Sequence, residues 1–161
     1  MKKIVSLALA LTMLFCAFVL SSCDSGSNTK NTKNEEEFYK LVDETKDLLD
    51  IVADDIYSNW YDAIYKDKFN ESIDLAILSA QIDNAENLDT IEENTTKIKN
   101  LYKEIKEGKL SSEAKEVMQA YNDYYTLVVE VSGSFNSYSA SKETCKKELA
   151  SALDDFSFEL D

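Results

Sequence analysis

No proline occurs anywhere in these 161 residues, and glycine occurs only three times. A chain so short of breakers has little with which to interrupt a helix, so it is held to long helices. The apolar pattern points the same way. Phe38, Leu41, Val42, Leu48, Leu49, Val52, Ile56, Trp60 and Ala63 recur at the steps of three and four that mark one helical face. The spacing predicts a first helix over 36–67, entered through Glu35-Glu36-Glu37, whose charge suits the positive end of the helix dipole. Asn70 is a good N-cap for a second helix over 71–107, with its stripe at Ile73, Ile77, Ala80, Asn84, Leu88, Ile91, Thr95, Ile98, Tyr102 and Ile105. Large apolar residues thin out from Asp83 to Thr96, so a kink or short loop is expected there.

Gly108 is a stop, and Ser111 a cap for a third helix over 112–131, striped by Ala114, Val117, Met118, Tyr121, Tyr125 and Val128. Gly133 marks a corner. A fourth helix over 135–159 carries Phe135, Tyr138, Cys145, Leu149, Ala152, Leu153, Phe156 and Leu160. No alternating strand pattern and no internal repeat is present. The expected fold is all-α: an antiparallel helical bundle of about four helices over residues 35–161. Three long helices are the alternative, the last two nearly continuous, since one glycine inside a helix costs only about 1 kcal/mol.

The first 34 residues have a different character. Met1-Lys2-Lys3 precedes an apolar run from Ile4 to Leu20, the anatomy of a secretory leader. Leu20-Ser21-Ser22-Cys23 then resembles the lipobox of bacterial lipoproteins. That resemblance implies a signal peptide over 1–22 and a diacylated Cys23 as the mature N-terminus. It places the domain on the extracytoplasmic face of the cell membrane, held by its lipid anchor. Asp24 to Asn34 contains no apolar residue, so residues 23–34 read as the lipidated cysteine and a flexible linker, about 37 Å at full stretch.

Charge narrows the partners. The chain is at −14, and near −16 without the two leader lysines. That argues against nucleic acid, whose phosphates need clustered cations. It also argues against the domain lying flat on anionic lipid, leaving the N-terminal lipid as the membrane contact. Cys145 alone would remain in the mature domain, so no internal disulfide is expected. Its place on the apolar stripe predicts a buried, inert thiol.

The absence of histidine removes the Glu-x-x-His pairs of di-iron bundles, the zinc sites built on Cys and His, and any base for a cysteine nucleophile. No Asp-x-Asp-x-Asp-Gly calcium loop and no phosphate-binding loop occurs. Asp54-Asp55, Glu92-Glu93 and Asp154-Asp155 read as solvated helix faces. Neither enzymatic activity nor a metal or cofactor is expected.

Tyrosine is the most unusual feature. Tyr57, Tyr61 and Tyr65 lie at i, i+4 and i+8 beside Trp60, and Tyr121, Tyr124 and Tyr125 cluster further on. Tyrosine suits the wet rim of a core as well as a recognition surface. On the second reading Tyr57, Tyr61, Tyr65 and Tyr124 are candidate contacts for an envelope protein or glycan.

Ser132-Gly133-Ser134-Phe135-Asn136-Ser137-Tyr138-Ser139, taken with Trp60, resembles a small helical domain of membrane-attached Firmicutes proteins. The resemblance implies a helical domain and carries no activity with it. Ser134, Ser137 and Ser141 share one face of the fourth helix, where small side chains would permit close helix approach, and Ser134 can also cap. The expected function is an interaction or structural module of the cell envelope. An accessory lipoprotein binding a small molecule or metal ion is the alternative.

Overall fold

The computed structural model describes residues 27–160. They form five α-helices: α1 (Ser27–Tyr65), α2 (Ile73–Asp83), α3 (Ala85–Ile105), α4 (Ser111–Val129) and α5 (Phe135–Leu160), with a 3-10 turn at Phe69–Glu71. The fold is all-α, without a strand among the described residues.

All four later helices pack on α1. Side-chain bonds between helices fix their directions. Asn59 Nδ2 donates to the Ala76 carbonyl at 3.3 Å, Asn84 Nδ2 to Asp55 at 2.7 Å, Asn94 Nδ2 to the Thr45 hydroxyl at 3.2 Å, and Asn34 Nδ2 to Glu104 at 2.8 Å. The number rises on one side as it falls on the other. So α2 and α3 together run antiparallel down the length of α1. α5 does likewise, with Lys142 on Asp54, Lys146 on Asp50 and Phe156 against Phe38. α4 turns into α5 at Gly133 and therefore runs with α1. This is an up-down-up-down bundle whose second leg is broken once, which is why five helices stand where four are expected.

The break falls inside the segment poor in large apolar residues. Asn84 is buried, and its amide also donates to the Ala80 carbonyl at 3.0 Å while its Oδ1 accepts from Asn87 at 2.9 Å. An asparagine satisfying the backbone with its own side chain competes with helix continuation. The alternative of three long helices is corrected at Gly133. Its φ of +87° is left-handed, and a Cβ there would sit 2.8 Å from Ser137 Oγ.

Other local expectations shift. α1 begins at Ser27, so it takes in most of the stretch that composition assigns to a linker; no breaker follows Gly26, and propagating a formed helix is far easier than starting one. Asn70 is not the cap of the second leg. It stands at φ 53° inside the turn, and Ser72 caps α2 instead, accepting from Leu75 N. Ser111 is the first residue of α4 rather than its cap.

Ser134, Ser137 and Ser141 are exposed, so they do not bring helices together. Ser134 and Ser137 form a reciprocal cap instead. Ser134 N donates to Ser137 Oγ at 2.9 Å and Ser137 N to Ser134 Oγ at 3.2 Å, satisfying two amides at the start of α5.

The connection from α1 to α2 is strained. Asp67, Phe69, Asn70 and Glu71 all have positive φ without being glycine, a conformation that costs about 1–2 kcal/mol per residue. Asp62 offsets part of this. Its carboxylate holds Lys66 Nζ at 2.8 Å and Lys68 Nζ at 2.6 Å, and its carbonyl accepts from both backbone amides. Bonds from Lys66 and Lys68 keep the Asp62 carboxyl below its ordinary range.

The core forms where the stripes converge. Phe38, Leu49, Val52, Ile56 and Trp60 of α1 meet Ile91 and Ile98 of α3, Val117 and Tyr121 of α4, and Leu149, Leu153 and Phe156 of α5. Thr45 and Thr95 are buried among them, each returning its hydroxyl proton to the carbonyl four residues back at 2.6 Å. With the Thr95 proton so used, Tyr121 donates to Thr95 Oγ1 at 2.6 Å.

Candidate functional site

Three of the four candidate tyrosines come together. Tyr57, Tyr61 and Tyr65 stack along the last turns of α1, with ring centroids 6.4 Å apart for the first pair and 4.7 Å for the second. Phe135, the first residue of α5, lies within 5.1–6.2 Å of all three. Below them Trp60 is buried against Phe135 and Tyr138, at 6.0 and 5.6 Å. Two ammonium groups lie over the row: Lys142 Nζ is 4.7 Å from the Tyr57 ring and Lys66 Nζ 5.5 Å from Tyr61. The row closes the α1–α5 seam at this end of the bundle. Tyr57 is half-buried, Tyr61 is 38% exposed and Tyr65 60%.

Tyr124 is corrected. It is fully buried, and its hydroxyl donates to Asp50 at 2.6 Å, so it presents nothing to a partner. Burial first, then the Asp50 carboxylate, push its pKa far above the ordinary tyrosine value. Glu92-Glu93 and Asp154-Asp155 are exposed helix faces as expected, but the third acidic pair does more than face water. Asp54 pairs with Lys142 and Asp55 accepts from Asn84. Lys142 is largely buried. Burial alone would lower its pKa, but Asp54 and Glu143 outweigh that and leave it raised.

The surface that periodicity missed is on α2. Ala76 and Ala80 are fully buried and face α1. Leu75, Leu78 and Ile82 are 49%, 50% and 64% exposed. At about 100° per residue, those three fall within an arc of about 60°, centred about 150° from the two alanines. The helix has turned its small side inward and its large apolar side outward. Together with Phe69 and Ser79 the three residues line an open groove. Apolar residues aligned on one face differ from those scattered singly, which need no explanation. One signal is present in the sequence: between Ile73 and Ile82 apolar residues fall on two opposite sides of the helix, parted by Asp74, Ser79 and Gln81, the pattern of a helix covered on two faces.

Other features offer less. A depression between α4 and α5 is lined mainly by polar and acidic groups, among them Glu116, Asp123, Glu148 and Asp155. No set of three or more ligating side chains is placed to hold a metal among the described residues. Cys145 is half-buried rather than buried, and burial, with Glu148 and Asp123 adding to it, raises its thiol pKa. That disfavours the thiolate a nucleophile needs. No described helix is long and apolar enough to cross a membrane. Cys23 lies outside the described residues. No family model, curated protein or solved structure matches the chain.

Proposed function

We propose that this chain is a lipid-anchored extracytoplasmic lipoprotein whose acidic helical bundle is an interaction module of the cell envelope, without enzymatic activity. The observation that carries the interaction reading is the outward face of α2. Leu75, Leu78 and Ile82 lie outside the core cluster, yet they sit on one line. Three large apolar side chains aligned in water are disfavoured at about 25 cal/mol per Å² of apolar surface, and burial against a partner removes that penalty. The tyrosine row is a secondary contact candidate through Tyr61 and Tyr65, its two most exposed members; Tyr57 is held in the seam. The anchor reading is supported by the lipobox-like Leu20-Ser21-Ser22-Cys23 after an apolar run.

Each part has its own test. Cells fed a labelled fatty acid should label the chain, and Cys23→Ala should abolish the label, because the thiol is the acyl acceptor. Equal label in both would remove the anchor. For the surface, a photoreactive phenylalanine analogue at Leu78 of the full chain should give a defined adduct in intact cells. The same analogue at Glu148, exposed on α5, should give none. Equal yields at the two positions would show that α2 is no selective contact.

A further inference from the structure

The outward face of α2 has the spacing of a helix seam. Leu75, Leu78 and Ile82 stand at i, i+3 and i+7, the a, d and a positions of a heptad. A second helix can set its own apolar residues between them at a shallow crossing angle. α2 is 11 residues long, so the seam is about 16 Å and engages about three turns.

Charge says which helix. From Glu71 to Thr96 the chain carries seven carboxylates and no lysine or arginine, which is half of the net −14. None of the seven makes an ion pair among the described residues. Asp74 and Asp83 stand on the two sides of the seam, about 40° and 80° beyond its edges by the helical repeat. A second copy of this chain would bring the same uncompensated carboxylates against these, which is unfavourable at close range. An anionic lipid surface meets the same repulsion.

We propose that the α2 ridge docks one amphipathic helix of a partner polypeptide, with apolar residues at matching spacing and lysines or arginines on its flanks. The apolar seam supplies contact area, and the carboxylates select the sign of the flanks and speed encounter. This rests on reading the ridge as an interaction surface, and the test separates the two claims.

The purified full chain is titrated with two synthetic three-heptad helices, both with leucine at a and d, one with lysine and one with glutamate at e and g. The lysine helix should bind at least tenfold tighter than the glutamate helix, and raised salt should weaken it. Leu78→Ala with Ile82→Ala should cost it tenfold or more while leaving the thermal melt unchanged, since neither side chain is in the core. Equal binding of both helices, lost in the double variant, would keep the surface and overturn the charge selection. Lysine-helix binding unaffected by the double variant would reduce the contact to diffuse charge and overturn the seam. If neither helix binds and the chain forms a dimer, or associates with neutral vesicles, in a way the double variant abolishes, the occupant is a second copy or lipid and the partner helix is overturned. With no binding of any kind, both claims fall.

Discussion

Trp60→Ala should unfold the domain or leave it severely weakened, while Tyr61→Ala, one residue on, should be mild. Trp60 is 3% exposed and wedged against Phe135 and Tyr138. Truncating a buried tryptophan costs about 3–5 kcal/mol, a large part of the 5–15 kcal/mol typical of a whole domain. Tyr61 keeps over a third of its surface in water, so its loss removes stacking on its neighbours, worth about 1 kcal/mol.

A third variant sharpens the comparison. Trp60 Nε1 is buried without an acceptor among the described residues, a state that itself costs about 1–3 kcal/mol. Trp60→Phe removes that donor along with part of the ring, so it should lie much closer to wild type than Trp60→Ala does. Thermal melts of the three variants decide it. A severe Tyr61 effect beside a mild Trp60 effect would mean that α1 is turned the other way.

Stability should be level from about pH 6 to 9 and fail between about pH 10 and 12. The chain has no histidine, so no imidazole titrates in the neutral range. Cys145, the one thiol among the described residues, is pushed up, mainly by burial. Tyr121 is raised from 10.0 to about 12, mainly by burial, and Tyr124 and Tyr138 are pushed higher still. The unfolded chain releases these phenolic protons near pH 10 while the folded chain still holds them. Stability therefore falls as pH rises from the unfolded value toward the folded one. At about 1.4 kcal/mol per pKa unit, Tyr121 alone accounts for about 3 kcal/mol. Lys46 and Lys142, both with raised pKa values, lose their carboxylate partners' support in the same alkaline range.

Urea unfolding followed across pH, together with tyrosinate absorbance, should show one cooperative alkaline transition. Tyr121→Phe should shift it upward, at about 1 kcal/mol lost near neutrality with the Thr95 bond. A midpoint unmoved between pH 9 and 12, or a transition near pH 6, would contradict the buried hydroxyls.

These two results test opposite ends of what the sequence shows. The inward face of α1 is legible because its large apolar residues recur on one side and charge occupies the other. Trp60 simply continues that line. The break at Asn84 is legible because polar residues replace apolar ones just where a helix would need a continuous face. α2 is different. Its stripe of Ile77, Ala80 and Asn84 does face inward, but Leu75, Leu78 and Ile82 form a second apolar line on the opposite side, which the stripe does not account for. The choice falls to α1, where alanines at 76 and 80 let the backbones approach closely enough for Asn59 to reach the Ala76 carbonyl. Tyr124 fails for a related reason. Its hydroxyl is satisfied by Asp50, 74 residues away, and no local spacing announces such a partner. The start of α1 at Ser27 is not legible from composition, which scores burial and not the ease of lengthening an existing helix.

The position of α1 has a mechanical consequence. It begins at the N-terminal side of the described chain, runs nearly 60 Å at 1.5 Å per residue, and touches every other helix. A pull on its first turn is directed along its own axis. The load then spreads over many interhelical contacts that must slide together, instead of peeling one at a time. The last turns of α5 lie beside α1 about three turns in from Ser27, since Phe156 packs on Phe38. A pull between the first turn of α1 and the last turn of α5 would therefore load that pair early and open the bundle like a zip. The bundle should therefore resist force that runs along α1 from its first turn to the α1–α2 turn, and yield to force applied between the first turn of α1 and the last turn of α5.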